Sequence, residues 1–173
     1  MYRIRFHGRG GQGVKTAGRI LGTTFFQEGF AVQDAPRYGA ERRGAPIFAY
    51  VRASRLPIQE RGIIRRPDLV VVVDDSLLTV PAAGVLTGVD EQTCMLISTS
   101  EEAATWRHRL NFPGQILTLP APEEITDRME LRSVAATCAG AAARLCGLSE
   151  RTSLERALRE ELSGFADAVV EKN

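Results

Sequence analysis

Gly8-Arg9-Gly10-Gly11-Gln12-Gly13 is the first stretch whose residue types and spacing could do chemistry. It fits G-x-G-x-x-G and lies between a strand-like segment, Tyr2 to Phe6, and a helix-like segment that opens at Val14. Glycines let the main chain turn tightly and let a ligand approach it closely. A helix that starts there presents free N–H groups and a partial positive charge, which suit an anion. Asp34 follows about 20 residues later, where a dinucleotide fold places its ribose-binding acid. A dinucleotide-binding module is one reading, and a bare tight turn is another. The bulky polar residues Arg9 and Gln12, which a bare turn does not need, favour a loop that meets a ligand. A triphosphate-binding P-loop fails on register. Val14 stands between Gly13 and Lys15-Thr16, and one residue of helix rotates a side chain by about 100°.

The second unusual stretch runs from Asp34 to Pro46 and holds Arg37, Tyr38, Glu41, Arg42 and Arg43 between Pro36 and Pro46. If it follows a second parallel strand, it leaves the sheet at the same end as the glycine loop. Arg9, Lys15, Arg37, Arg42 and Arg43 could then converge on one anionic group, since the planar guanidinium fork suits phosphate or carboxylate. An interface held by ion pairs fits this loop equally well. Gly39, Gly44 and Ala45 would let a ligand or another chain come close.

Nothing else in the chain resembles catalytic machinery. No carboxylate pair, nucleophile–base pair or metal-ligand spacing stands out, so no catalytic residue and no metal site is assigned. The three cysteines, Cys94, Cys138 and Cys146, form no C-x-x-C pair and read as small buried hydrophobes. His7 ends the first strand and reads as a residue that orients the glycine loop; His108 stands alone. Arg61, Arg65 and Arg66 read as a solvated face.

The elements that must position the two loops follow from periodicity. Tyr2 to Phe6 alternates as a strand. Val14, Ala17, Gly18, Leu21, Thr24 and Phe25 recur on one face of a helix that stops at Gly29. Ala31 to Asp34 and Ile47 to Ala53 read as strands two and three. Leu69 to Val73 is a continuous apolar run of the kind buried on both faces. Asp74-Asp75-Ser76 could cap a helix after it. Cys94 to Ser98 and Gln115 to Leu119 are further strands, with a helix from Glu101 to Leu110 between them. Glu130 to Cys146 reads as an alanine-rich helix ended by Gly147. Thr152 and Glu155 fit a capping box for a last helix with an apolar stripe of Leu154, Leu158, Leu162, Phe165 and Val169. The expected fold is α/β: a Rossmann-like, doubly wound, mostly parallel sheet with C-terminal helices, one domain over residues 1–173.

Composition narrows the partners. The net charge of +1 gives no electrostatic case for capturing nucleic acid or a membrane surface. No apolar run approaches the ~18 residues of a membrane span, and the N-terminus lacks a secretory apolar region. A cytoplasmic location is the expectation.

His7 to Gly13 followed by Tyr38-Gly39-Ala40-Glu41-Arg42-Arg43-Gly44-Ala45-Pro46 resembles the gamma component of pyruvate and related 2-oxoacid:ferredoxin oxidoreductases. The likeness continues through Pro67-Asp68, Val70 to Val73 and Asp75. The Arg132 to Gly140 region departs from the family pattern. The resemblance implies a subunit, not catalytic alone, of an enzyme that oxidatively decarboxylates a 2-oxoacid to an acyl-CoA. It implies thiamine diphosphate and 4Fe-4S clusters held by other subunits, of alpha, beta and delta type. It implies an external acceptor, ferredoxin or NAD, that meets those other subunits. Carried onto this chain, it makes Gly8, Arg9, Gly10, Gly11, Gln12 and Gly13 candidates for a coenzyme A phosphate contact, with Arg42 and Arg43 next. Glu41 would pair with a neighbouring arginine. A stand-alone nicotinamide- or flavin-binding protein is the alternative, and it requires the Asp34 carboxylate to face the glycine loop.

Overall fold

The computed structural model describes residues 1–37, 44–121 and 128–163. Six strands form one sheet: β1 (Tyr2–Arg9), β2 (Ala31–Arg37), β3 (Pro46–Ser54), β4 (Leu69–Val72), β5 (Cys94–Thr99) and β6 (Gln115–Pro120), in spatial order β2-β3-β1-β4-β5-β6. β1, β4, β5 and β6 are parallel, as the α/β expectation requires. β3 runs antiparallel to both β1 and β2. The cause is the short link between Arg37 and Pro46. A parallel return needs a crossover of about a dozen residues or more, and this link is too short for one. β3 therefore sits between β1 and β2.

One face of the sheet carries all the long helices. α1 (Val14–Gln27) packs on β2 and β3, and α3 (Arg128–Cys146) and α4 (Arg151–Glu161) pack on α1. Every residue of the expected α1 face is buried. The helix ends as its sequence suggests. Gly29 N–H donates to the Phe26 carbonyl at 2.9 Å, and Phe30 N–H to the Phe25 carbonyl at 3.1 Å. This is a Schellman closure, with the Phe25 and Phe30 rings 6.1 Å apart as its apolar contact. Ile4, Phe6, Leu69, Val71 and Val73 meet α1 and the alanine face of α3 in one core. On the opposite face, Val70, Val72, Met95, Ile97 and Ile116 meet Leu77, Leu78, Trp106 and Phe112. All of β4 is thus buried on both sides, which explains its unbroken apolar run. The eight-residue helix α2 (Ala103–Leu110) belongs to this second layer.

Several expectations need correction. β1 continues to Arg9 and β2 to Arg37, so the first two residues of the glycine motif are strand. After β4 there is no α-helix. Two short 3-10 turns, Asp75–Thr79 and Pro81–Ala83, replace it, because Pro81 and Gly84 interrupt the segment. Asp74 does cap the first of these, accepting from Ser76 N–H at 3.1 Å. The Thr152–Glu155 capping box is absent: α4 starts at Arg151 after Glu150, with no side-chain cap of its own. A carboxylate just past the end of α1 serves instead, with Glu28 Oε1 accepting from Glu150 N–H at 2.9 Å. Arg151 pairs one turn along with Glu155 at 2.7 Å. Phe165 and Val169 lie outside the described residues.

Candidate functional site

The glycine motif becomes a strand end followed by a turn of four residues into α1. Gly8 is required by packing: a Cβ there would stand 2.3 Å from Val14 Cγ2 and 3.4 Å from Val73 Cβ. Its absence lets the first turn of α1 lie directly over the end of β1. Gly13 takes φ 77 at the start of the helix. Gly11 takes φ 98, and a Cβ there would meet nothing within 4 Å. Among the described residues, no side chain covers the outer side of the turn at that point. The N-terminus of α1 has no side-chain cap and no acidic residue in its first turn. A helix start of this kind offers unmatched N–H groups and positive potential to an external anion.

The two sequence loops are in contact. Gly10 N–H donates to the Ala45 carbonyl at 2.9 Å, and Gly44 N–H to the Gly10 carbonyl at 3.4 Å. Arg9 Nη1 adds a hydrogen bond to the Gly44 carbonyl at 3.1 Å. The antiparallel hairpin of β2 and β3 therefore returns its chain against the glycine turn. Arg42 and Arg43, with Tyr38 and Glu41, lie outside the described residues.

Arg9 and Gln12 face inward. Gln12 Oε1 accepts from Arg9 N–H at 2.6 Å, and Gln12 Nε2 donates to Asp74 Oδ2 at 2.7 Å. Arg9 Nε donates to the same carboxylate oxygen at 3.1 Å, and Arg9 Nη2 to Ser76 Oγ at 2.7 Å. Ser76 Oγ donates to Asp74 Oδ1. Burial alone would raise the Asp74 carboxyl. The hydrogen bonds from Ser76 and Gln12, with the Arg9 charge, outweigh it and hold the group below the usual carboxylate range. The guanidinium and the amide thus lock the glycine turn to the end of β4. Asp74 and Ser76 are central to the site although the sequence showed them only as a helix cap. Their signal was position, at the end of the strand beside β1.

Asp34 does not take the ribose-binding place. It is exposed on β2, two strands from β1, and its Cβ lies beside Gly22 in the middle of α1. Lys15 is exposed on the first turn of α1. His7 does not orient the loop through its ring. The ring is buried, packs edge-on to Phe48 at 5.0 Å, and neither nitrogen has a hydrogen-bond partner. The Ala83 backbone lies near enough to favour the charged ring slightly, but without hydrogen-bond geometry. Burial, and then the Arg5 charge, hold its pKa down to about 3.

Burial pushes the Cys138 and Cys146 thiols up to about 12, so neither is a ready nucleophile. Among the described residues no group of three or more histidine, cysteine or acidic side chains could hold a metal ion. Among them, too, no helix is long and apolar enough to cross a membrane.

Residues 3–173 match the family described as pyruvate ferredoxin/flavodoxin oxidoreductase. The chain is 37% identical over 174 residues to the pyruvate/ketoisovalerate oxidoreductases common subunit gamma of Thermococcus kodakarensis, spanning 100% of this chain and 91% of that one. The crystal structure of pyruvate oxidoreductase subunit PORC from Thermotoga maritima superposes with a TM-score of 0.78 at 28% identity, over 99% of this chain and 89% of that one. The 2-oxoglutarate:ferredoxin oxidoreductase of Magnetococcus marinus, solved with 2-oxoglutarate, coenzyme A and succinyl-CoA bound, matches with a TM-score of 0.70 over 99% of this chain. That match covers 28% of the longer chain at 17% identity, a likeness of fold.

Proposed function

The chain belongs to the pyruvate ferredoxin/flavodoxin oxidoreductase family, and from that premise we propose that it is a gamma subunit of a 2-oxoacid:ferredoxin oxidoreductase. The overall reaction joins a 2-oxoacid and coenzyme A to give an acyl-CoA and carbon dioxide, passing two electrons to an acceptor. Thiamine diphosphate, when bound on a partner subunit, supplies the carbanion chemistry at the 2-oxo carbon, and iron–sulfur clusters carry the electrons. The described residues of this chain offer no ligand set for a cluster. Its part is to bind and to position.

The observation that carries this reading is the pairing of Gly10 with Ala45. It joins the open glycine turn, at an uncapped helix start, to the segment that directly follows Arg43 in sequence. The turn at Gly11 and Gly13 supplies backbone donors for the phosphates of coenzyme A, since the Arg9, Gly10 and Gln12 N–H groups are engaged within the turn and by Ala45, and Arg42 and Arg43 supply charge. Arg9 and Gln12 hold the turn in shape through Asp74. The same edge faces the sister alpha, beta and delta-type subunits. Asp34, exposed beside the middle of α1, weighs against a stand-alone dinucleotide protein.

The test is a complex reconstituted with Arg42→Ala/Arg43→Ala. This reading expects an assembled complex whose KM for coenzyme A rises severalfold while kcat and the KM for the 2-oxoacid hold. Loss of assembly, with coenzyme A affinity unaffected in whatever complex remains, would make the loop an interface only.

A further inference from the structure

Two irregular segments, residues 60–66 and 84–88, lie over β1 and β3 on the sheet face opposite α1. Side chains from the strands below hold them. Arg3 pairs with Glu60 at 2.6 Å, and Arg52 Nη2 donates to the Gly62 carbonyl at 2.9 Å. The buried Arg5 ties the two segments to each other. Its terminal nitrogens donate to the carbonyls of Ile64 at 3.4 Å, Val85 at 2.8 Å and Thr87 at 2.7 Å. The segments also touch directly: a Cβ at Gly88 would stand 1.8 Å from the Arg65 carbonyl oxygen, an approach that only glycine permits. Connecting segments are ordinarily the looser parts of a fold. These two are pinned.

What they present is basic and apolar. Arg65 and Arg66 are exposed, and among the described residues neither side chain makes a hydrogen bond or ion pair. Each segment also shows one exposed large apolar residue, Ile63 at 43% and Leu86 at 38% exposure. Between the segments and β3 opens a cavity of about 340 Å³, whose lining includes Phe48, Tyr50, Ile63, Arg65, Ala82 and Thr87 and no acidic side chain. Exposure alone would leave these arginines as a solvated face. A solvated face needs neither a buried arginine to anchor it nor an apolar recess beside it. A surface fixed before contact loses less conformational freedom on docking. Arginines around an apolar recess are a common makeup of protein interfaces.

We propose that this groove docks an acidic segment of a sister subunit, with an apolar side chain entering the cavity and flanking carboxylates meeting Arg65 and Arg66. The inference rests on the reading of the chain as a gamma subunit and adds a second contact surface, across the sheet from α1. Charge complementarity selects the partner: two unpaired guanidinium groups beside a recess without acids attract carboxylates and repel a basic surface.

The experiment measures association of the full chain with the separately produced sister subunits across a series of sodium chloride concentrations. Arg65→Glu/Arg66→Glu should weaken association about tenfold or more at low salt and flatten its salt dependence, while the KM for coenzyme A holds in the complex that forms. Ala82→Phe, at the exposed edge of the cavity, should weaken association severalfold with no change of charge. Arg107→Glu, exposed on α2, should leave association as it was. Thermal melts of each chain alone confirm that the fold is kept. If the charge-reversed or the filled variant associates like the unaltered chain, or if Arg107→Glu weakens association as much, the proposal is overturned. It is overturned too if the chain alone forms dimers that the charge reversal dissolves, since a second copy is then the occupant. If the unaltered chain joins no sister subunit, the gamma-subunit reading itself fails and this inference falls with it.

Discussion

Arg9 on β1 and Asp74 beyond β4 meet across the ends of adjacent parallel strands, with Nε donating to Oδ2 at 3.1 Å. The contact joins the glycine turn to the next strand's exit, and Gln12 adds a second donor to the same oxygen at 2.7 Å. The shape of the turn therefore depends on a carboxylate more than sixty residues away in the chain.

Asp74→Ala removes the common acceptor of Arg9 and Gln12. It should lower stability by about 1–3 kcal/mol, discounted toward the lower end because Arg9 is partly exposed. A shift in the denaturant midpoint measures it. Asp74→Asn isolates the charge. The folded-state pKa is depressed, so the ion's contribution is complete above the unfolded pKa of about 3.8 and fades as pH falls through the lower folded value. The two proteins should therefore differ most near neutral pH and converge in strong acid.

Gly8→Ala and Gly11→Ala should separate packing from presentation. A Cβ at Gly8 would overlap Val14 at 2.3 Å, so α1 must shift, at about 1–3 kcal/mol. At Gly11 there is space, and only the positive φ of 98 is penalised, by about 1–2 kcal/mol. Thermal melts rank the two. A larger loss at Gly11 than at Gly8 would contradict the packing described.

His7 should shape the acid limb of stability. Its folded pKa of about 3 lies below the unfolded value of about 6.5, so the unfolded chain takes up the proton first. The stability in question is fully present above about pH 6.5. It declines as pH falls toward 3, at up to about 1.4 kcal/mol per pH unit. His7→Phe should flatten the melting temperature against pH across that window, and an unchanged slope would refute the assignment.

Much of this architecture is legible in the residues, and the failures have common causes. The α1 face, the Gly29 stop and the doubly buried β4 are written as local periodicity, and each holds. The antiparallel β3 is not written locally. It follows from the number of residues available to turn the chain. Arg5 and His7 alternate with Ile4 and Phe6 and look like the wet side of a strand. They are buried because the irregular segments around Ile64 and Val85, which carry no pattern, fold over them. Arg9 and Gln12 looked free to meet a ligand because their acceptor, Asp74, is distant in sequence.

Gly11 provides the most direct measurement of the central claim, that the open turn at the start of α1 faces an anion. In the reconstituted complex, Gly11→Glu and Gly11→Gln impose the same backbone strain and nearly the same bulk, and differ by one negative charge. The account predicts a KM for coenzyme A about tenfold higher for Gly11→Glu than for Gly11→Gln, equivalent to about 1.4 kcal/mol, with equal KM for the 2-oxoacid. Equal coenzyme A values in two correctly assembled complexes would contradict it.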